Sequence, residues 1–380
     1  MKINLKHKII NDKYTEYLYE AFDIQNKEES NVCIDANLEN IGNDWNIGVV
    51  YGGSGTGKTT ILKNYFKKEM DKSYFDNSKS LISNFDWLEP EKATFLLSSM
   101  GLSSVPTWLR PFNTLSNGEQ YRANLAYLVG KASDNEVILV DEYTSVVDRE
   151  VAKAMSNALQ KYVRRTNKKI VLASCHFDIM EWLQPDWIYS PQKGRLEIAP
   201  RLRRPEIKLE IFRCRYETWK IFKQHHYLSE DLNPAAICYV TLWNDKPIAF
   251  IAILPFPGVG DAKTRRISRI VILPDFQGLG IGKKIIDYFS SLYKKIESTM
   301  YIRTINPALG IALTKDINNW QPTLSNMKAN FANDTSGRKL LNRPSYSFKY
   351  IGKKSTDCEN IIIFNADAWK QVAQNQISLF

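Results

Sequence analysis

The run "NIGVVYGGSGTGKTTIL", residues 46–62, constrains the fold of this chain more than any other stretch. A short apolar segment, a glycine-rich turn and an apolar-periodic segment follow one another, which predicts strand, loop and helix in that order. Gly52, Gly57, Lys58 and Thr59 satisfy the pattern G-x-x-x-x-G-K-[ST], with Gly53, Ser54 and Gly55 inside the turn and Thr60 just after it. Glycines let backbone N–H groups turn inward around a phosphate, and the helix start adds the positive end of its dipole. Lys58 is expected to reach the terminal phosphates, and the Thr59 hydroxyl to hold magnesium. Two further apolar runs, "EVILVDE" (136–142) and "KKIVLASCH" (168–176), have the look of buried parallel strands. Asp141 ends the first of them, where it is expected beside the magnesium. Glu142 follows, placed to polarise the water that attacks the γ-phosphate.

Between these runs lies "TLSNGEQYRANLAYL", residues 114–128, and after them come "SVVD" (145–148) and His176. In identity and order these motifs resemble those of ABC-type ATPases, over roughly residues 1–195. The resemblance implies that the chain binds ATP, with "LSNGEQ" as signature, "SVVD" as D-loop and His176 as switch histidine. It also implies that Ser116 and Gly118 of one chain cap the ATP held by another, so an ATP-dependent homodimer is expected. The short interval from Lys58 to Leu115 leaves no room for a coiled-coil arm. It also lacks a clear glutamine for the γ-phosphate sensor, and Asn84 or Asp86 is the substitute.

A second glycine loop lies in "ILPDFQGLGIGKKIIDYF", residues 272–289. It follows a strand-like run, "RISRIVILP", and precedes an amphipathic segment. No lysine–threonine pair follows it, as a second triphosphate loop would need, and no acidic strand end waits for a ribose. A pyrophosphate held on loop amides is the remaining anion. The segment resembles the coenzyme-A loop of GNAT-type acyltransferases, and the likeness extends over about 210–365. It implies that Gln277, Gly278, Leu279, Gly280, Ile281, Gly282 and Lys283 hold the pyrophosphate of acetyl-CoA or another acyl-CoA. Glycines there are expected to let backbone approach phosphate, and Lys283 and Lys284 to add positive charge.

The fold class expected is therefore α/β: a P-loop ABC-type nucleotide-binding domain (1–197), a basic linker (198–209), and an α/β GNAT-fold domain (210–380). The linker reads from "SPQKGRLEIAPRLRRPEIK", where Pro191, Pro200 and Pro205 interrupt regular structure. The combination resembles ABC-type ATPases fused to an acetyltransferase domain. The second half is similar to Mom-type phage proteins that modify DNA bases, on "HHYLS" (225–229), "LPDFQGLGIG" and "RPSYSFKYIG" (343–352).

Charge bears on the acceptor. Residues 1–200 carry 24 Lys and Arg against 26 Asp and Glu, whereas residues 201–380 carry 27 against 15. The basic excess thus belongs to the second half, where nucleic acid, DNA or RNA, is the expected partner. Arg201, Arg203, Arg204, Lys208, Arg213, Arg215, Lys263, Arg265, Arg266 and Arg269 cluster there, interleaved with Tyr216, Trp219 and Phe222. A solvated linker and ordinary core aromatics would account for the same residues. Acyl transfer to an amine needs a base, and His226 suits it at neutral pH, with His225 as the alternative. Tyr227 and Tyr350 are the acid candidates. An acceptor among proteins or small amines remains the alternative. Cys33, Cys175, Cys214, Cys238 and Cys358 lie far apart, which argues for reduced thiols in a cytoplasm. No run of about 18 apolar residues is present, so no membrane contact is expected.

Overall fold

Short β-branched runs set the first sheet of the computed structural model, which describes residues 2–22, 28–134, 136–200, 202–203, 205–226, 232–256, 263–327, 345–356 and the backbone of 375–378. The chain gathers into two compact units that are discontinuous in sequence. The first comprises residues 1–72, 131–145 and 163–202, and the second 73–130, 146–162 and 203–380. The last crossing, at Leu202 and Arg203, falls inside the stretch expected to be a linker.

In the first unit, β1 (Lys2–Lys8) pairs antiparallel with β2 (Glu29–Asp35), with α1 (Lys13–Phe22) between them. The five-stranded sheet runs β4 (Val137–Val140), β5 (Lys169–Ser174), β3 (Ile47–Tyr51), β6 (Trp187–Ser190), β7 (Arg195–Ile198). All neighbours are parallel except β6 and β7. Ile47, Val49 and Val50 are fully buried, as both faces of a central parallel strand require. α2 (Lys58–Phe66) leaves the end of β3, and α7 (Met180–Leu183) precedes β6. Val50, Leu139, Val171 and Trp187 from the strands pack with Ile61 and Leu62 of α2 in one core. Burying a side chain of this size contributes about 1.5–3 kcal/mol.

The second unit holds α3 (Pro90–Ser99), α4 (Val105–Trp108), α5 (Asn117–Lys131, within the unit to Gly130) and α6 (Arg149–Arg165, within it to Tyr162). It also holds β8 (Lys208–Cys214), α8 (Trp219–Phe222), β9 (Ile237–Trp243), β10 (Lys246–Pro255), β11 (Arg265–Ile272), α9 (Ile281–Lys295), β12 (Met300–Thr304), α10 (Pro307–Lys315), β13 (Trp320–Pro322), β14 (Tyr346–Tyr350) and β15 (Asn375–Ser378). The sheet order is β13-β14-β12-β11-β10-β9-β8-β15. The expected hairpin forms between β9 and β10. Asn244 and Asp245 both take positive φ, 50° and 63°, which matches a two-residue turn to the strand twist. β10, "KPIAFIAILP", is buried along most of its length because helices cover both faces: α9 over Tyr239, Ile251 and Ile253, α8 over Phe250 and Ala252.

β11 and β12 are the parallel pair, and their pairing covers only Arg265–Ile267 against Met300–Ile302. β11 continues to Ile272 without β12, so the two strands part beside the loop that opens α9. The expected class, α/β with a phosphate-loop sheet first and a GNAT-type sheet second, is what the structure has. The four described cysteines are free. Burial pushes the Cys214 thiol up to about 12 and the Cys238 thiol to about 11. No described helix is long and apolar enough to cross a membrane.

Candidate functional site

Two sites stand out, one in each unit. In the first, Gly55 and Gly57 turn the chain with φ of 76° and 79°. Lys58 Nζ donates to Gly52 O (2.9 Å) and Gly53 O (2.7 Å), which folds the ammonium back over the turn. Ser54 is exposed and Thr60 half-buried on the first turn of α2. The Thr59 hydroxyl donates to Asp141 Oδ2 at 2.7 Å, so the two predicted magnesium ligands meet across 82 residues of chain. A hydroxyl and a carboxylate beside phosphate oxygens are the hard oxygen donors that Mg2+ takes. Among the described residues no group of three or more His, Cys, Asp or Glu could hold a metal. One hydroxyl and one carboxylate fit an ion that takes its remaining ligands from phosphate and water.

Glu142 is exposed, with φ 48°, and its N–H donates to Asp141 Oδ1 at 2.9 Å. Two residues on, Thr144 is fully buried with φ 69°, a true outlier for a β-branched residue. Such a conformation stores about 1–3 kcal/mol and collects at functional sites. Its hydroxyl lies 3.1 Å from Nδ1 of His176. Ser174 ties the segments together. Its carbonyl accepts from Gly52 N (3.1 Å), while its hydroxyl donates to Tyr143 O (3.0 Å) and accepts from His176 N (3.1 Å). Sequence reasoning named His176 but missed Thr144 and Ser174, which carry no motif of their own.

In the second unit, Ser116 and Glu119 form a reciprocal cap at the start of α5. Ser116 N donates to Glu119 Oε2 (3.0 Å) and Glu119 N to Ser116 Oγ (3.3 Å). The sequence S-x-x-E carries that signal. Thr107 Oγ1 donates to Glu119 Oε1 at 2.9 Å, and Gly118 lies against Val151 of α6. Asn84, a proposed sensor, spends its side chain on its own turn: Oδ1 accepts from Asp76 N (2.6 Å) and Nδ2 donates to Ser80 O (3.0 Å). Asp86 is exposed.

The second glycine loop departs from expectation in its side chains. Gln277 braces the loop: Nε2 donates to Ile272 O (2.9 Å) and Oε1 accepts from Ser103 N (2.7 Å). Gly278, with φ 88°, takes no Cβ because one would lie 2.8 Å from Ala158 Cβ on α6. Its carbonyl accepts from Asn157 Nδ2 at 3.0 Å. Protein, not phosphate, fills that space. Gly280, with φ 87°, faces open space instead. Leu279 and Ile281 are buried anchors, and Gly282 lies against Ile272. Lys283 is turned away from the loop, with Nζ donating to Asp287 Oδ2 (2.6 Å) and Asp316 Oδ2 (2.5 Å). Burial opposes its charge, but those two carboxylates outweigh burial and hold its pKa above the ordinary lysine value. An anion here would be met by the amides of the first turn of α9, which have no partner within the helix.

Arg122 of α5 is wholly buried. None of its guanidinium nitrogens has a hydrogen-bond partner, and Asp275 Oδ1 lies 3.9 Å away. Burial lowers it to about 10, against the raising effect of Asp275 and Glu119. The sequence analysis marked Ser116 and Gly118 at the start of this helix but not Arg122.

Of the acid–base candidates, the structure describes His225, His226 and Tyr350; Tyr227 lies outside the described residues, as do Arg201 and Arg204. The His226 ring meets Trp219 edge-on at 5.6 Å, and Trp219 packs on Phe250. Tyr350 pairs with Trp320, lies under Lys294 of α9 and donates to Lys353 O at 3.2 Å. Burial, then Asp287 and Asp316, raise its pKa. Strand register follows Phe348 to Ile302, Ile267 and Ile253, so Tyr350 shares the α9 face while Phe250 points the other way. His226 and Tyr350 therefore sit on opposite faces and do not form one acid–base pair. His225 has its pKa lowered by burial, partly offset by Glu119 and Asp275.

Residues 204–306 match the Acetyltransferase (GNAT) family. No curated protein matches the chain. Among solved structures, it is similar to the dimeric structure of MJ0796, a bacterial ABC transporter cassette, at 16% identity over 44% of this chain and 93% of that one, TM-score 0.34. It is also similar to the ribosomal-protein-S18-alanine N-acetyltransferase from Escherichia coli, at 15% identity over 39% and 97%, TM-score 0.30. A third is a GNAT family acetyltransferase from Elizabethkingia anophelis with acetyl-CoA bound, at 16% identity over 38% and 97%, TM-score 0.29.

Proposed function

We propose that this protein is an ATP-dependent acyltransferase acting on nucleic acid, with DNA bases as the first acceptor to test. In this reading ATP draws two chains together, and that pairing is coupled to transfer from acetyl-CoA or another acyl-CoA. The carrying observation is that loop 277–280 is held by hydrogen bonds from Ser103 and Asn157, residues that flank the signature helix α5 in sequence. Arg122 of α5 itself lies 3.9 Å from Asp275, two residues before Gln277, so a shift of that helix can reach the loop.

On the ATP side, Lys58 contacts the terminal phosphates and Glu142 orients the attacking water. Thr59 and Asp141 would hold Mg2+, which neutralises phosphate charge when bound. His176, positioned by Thr144 and Ser174, senses the γ-phosphate. On the acyl side, the acceptor amine attacks the thioester carbonyl, a C–N bond forms and the C–S bond breaks. His226 takes the proton that the amine loses, and the coenzyme-A thiolate is protonated in turn. Acting on a base within a duplex requires its extrusion, at a few kcal/mol, and this gives ATP a purpose.

The test is nucleoside mass spectrometry on DNA and RNA from cells making the protein, against cells making a Lys58→Ala, Gly280→Asp double variant. A new heavier nucleoside, absent in the control, is expected and names the acceptor. No new nucleoside in either pool sinks the reading and moves the search to acetylated proteins and small amines.

A further inference from the structure

The acceptor side of the second sheet carries an arrangement of arginines that the acyl-transfer chemistry does not use. Ala252 of β10 pairs with Arg269 and Ile253 with Ile267, so Ser268 is an extra residue in β11. In an unbroken strand Arg266 and Arg269 would point to opposite faces; the bulge turns them to the same one. β12 pairs Tyr301 with Arg266 and Ile302 with Ile267, which brings Tyr301 and Arg303 to that face too. It is the face of Phe250 and Ala252, on which α8 packs and toward which His226 lies, at the point where β11 and β12 part.

These side chains are built in. The Arg266 guanidinium lies 4.9 Å from the centroid of Phe256, and Phe256 meets Tyr301 edge-on at 5.9 Å. Arg303 Nε donates to Ser345 Oγ at 2.6 Å. Arg269 Nη1 donates to Ser268 O at 2.9 Å, while its Nε is buried with no hydrogen-bond partner. Burial, then the charges of Arg269 and Arg303, push the Arg266 pKa below its usual value. The charges of Arg269 and Arg303 oppose that of Arg266 in the free protein, and an anion relieves that repulsion.

We infer that Arg266, Arg269 and Arg303 form a seat for the phosphodiester backbone of a single-stranded nucleic acid, with Phe256 and Tyr301 as the adjoining stacking surface. Arginine forks grip phosphate, and aromatic rings accept bases of any sequence. The inference rests on the nucleic-acid reading above and specifies where the acceptor strand lies.

The test uses the full chain with coenzyme A and a non-hydrolysable ATP analogue present, so that both phosphate loops are filled. A fluorescent mixed-sequence 20-mer single-stranded oligonucleotide is titrated by anisotropy across salt concentrations. Each of Arg266→Gln, Arg269→Gln and Arg303→Gln is expected to weaken binding by about 3- to 10-fold. The triple variant is expected to flatten the slope of log affinity against log salt by about 2, at ~0.7 per phosphate contact. Arg195→Gln, an exposed residue of the first unit, is the control and leaves the slope unchanged. The triple Arg→Lys variant keeps the charge and most of the slope.

If the wild type binds and the triple Gln variant binds equally, the seat is wrong while the nucleic-acid reading stands. If the wild type shows no salt-dependent binding, both fall. Polyglutamate displacing the oligonucleotide at equal charge concentration reassigns the seat to acidic peptides and overturns the proposal. Should the triple variant fail to fold, phenylglyoxal labelling of the wild type decides instead: protection of Arg266 by oligonucleotide supports the seat, and unchanged labelling refutes it.

Discussion

Substituting Gly278 and Gly280 separately by alanine distinguishes a glycine held by protein from one open to a ligand. The two have almost the same backbone, φ 88° and 87°. A left-handed alanine costs about 1–2 kcal/mol at either position. At Gly278 the new Cβ would also lie 2.8 Å from Ala158 Cβ, 3.4 Å from Ala154 O and 3.5 Å from Gly101 Cα, whereas at Gly280 nothing lies within 4 Å. Carbon atoms rest at about 3.5–4.0 Å, and the neighbour is a helix methyl that cannot swing aside. Overpacking of this kind adds about 1–3 kcal/mol. Gly278→Ala is therefore expected to lose about 2–5 kcal/mol in urea unfolding followed by tryptophan fluorescence, and Gly280→Ala about 1–2. Coenzyme-A affinity, measured by calorimetry, should show Gly280→Ala losing about tenfold or more if the open space at Gly280 takes the proposed pyrophosphate. Ala158→Gly in the Gly278→Ala background should recover about 1–3 kcal/mol of coupling, even though glycine within α6 costs about 1. Equal losses for the two alanines, with no coupling to Ala158, would refute the packing of the loop on α6.

Arg122→Met is expected to be neutral or to stabilise by about 1 kcal/mol, because it replaces a buried cation without hydrogen bonds by an apolar chain. Under the proposed coupling it should also make acyl transfer insensitive to ATP; a loss above about 3 kcal/mol would show that the guanidinium is satisfied after all. Glu142→Gln with ATP is expected to elute as a dimer by light scattering, and a monomer unchanged by ATP would count against two-chain closure. Asp316→Asn is expected to cost about 1–2 kcal/mol at pH 7 in urea unfolding. Burial raises the Asp316 pKa, but hydrogen bonds from Lys283 and Asn319 outweigh it and leave the value below 3.8. Its contribution is thus present above pH 3.8 and lost as pH falls through the lower folded value. Lys283, raised above 10.5, keeps its share below that pH and loses it as pH rises through the higher folded value. The penalty of Asp316→Asn should therefore shrink progressively as pH falls below 3.8, and a penalty independent of pH would rule out the ion pair as its source.

Residue identity and spacing made the first site legible. Asp141, Glu142 and His176 follow the ends of strands that apolar runs announce, Lys58 and Thr59 open α2 after the glycine turn, and parallel pairing of β3, β4 and β5 brings Thr59 to Asp141. The second loop was legible in place but not in detail. Gln277 and Lys283 fit a pattern for an anion, yet Gln277 reaches Ser103 and Lys283 reaches Asp316, partners far away in sequence. His226 and Tyr350 were grouped by chemistry, and sheet register separates them.

By itself the sequence determined the order of two glycine-rich loops, the strand–loop–helix geometry of each, and the placement of the basic excess in the second half. These follow from local periodicity, glycine positions and charge, which need no long-range contact. Only the tertiary structure decided which glycine faces protein and which faces open space, that Arg122 is buried without a hydrogen bond, and that a single bulge at Ser268 turns Arg266 and Arg269 to one face. Each of those depends on which segments meet in space and in what register. A one-residue slip reverses every side chain of a strand, and no local pattern records it.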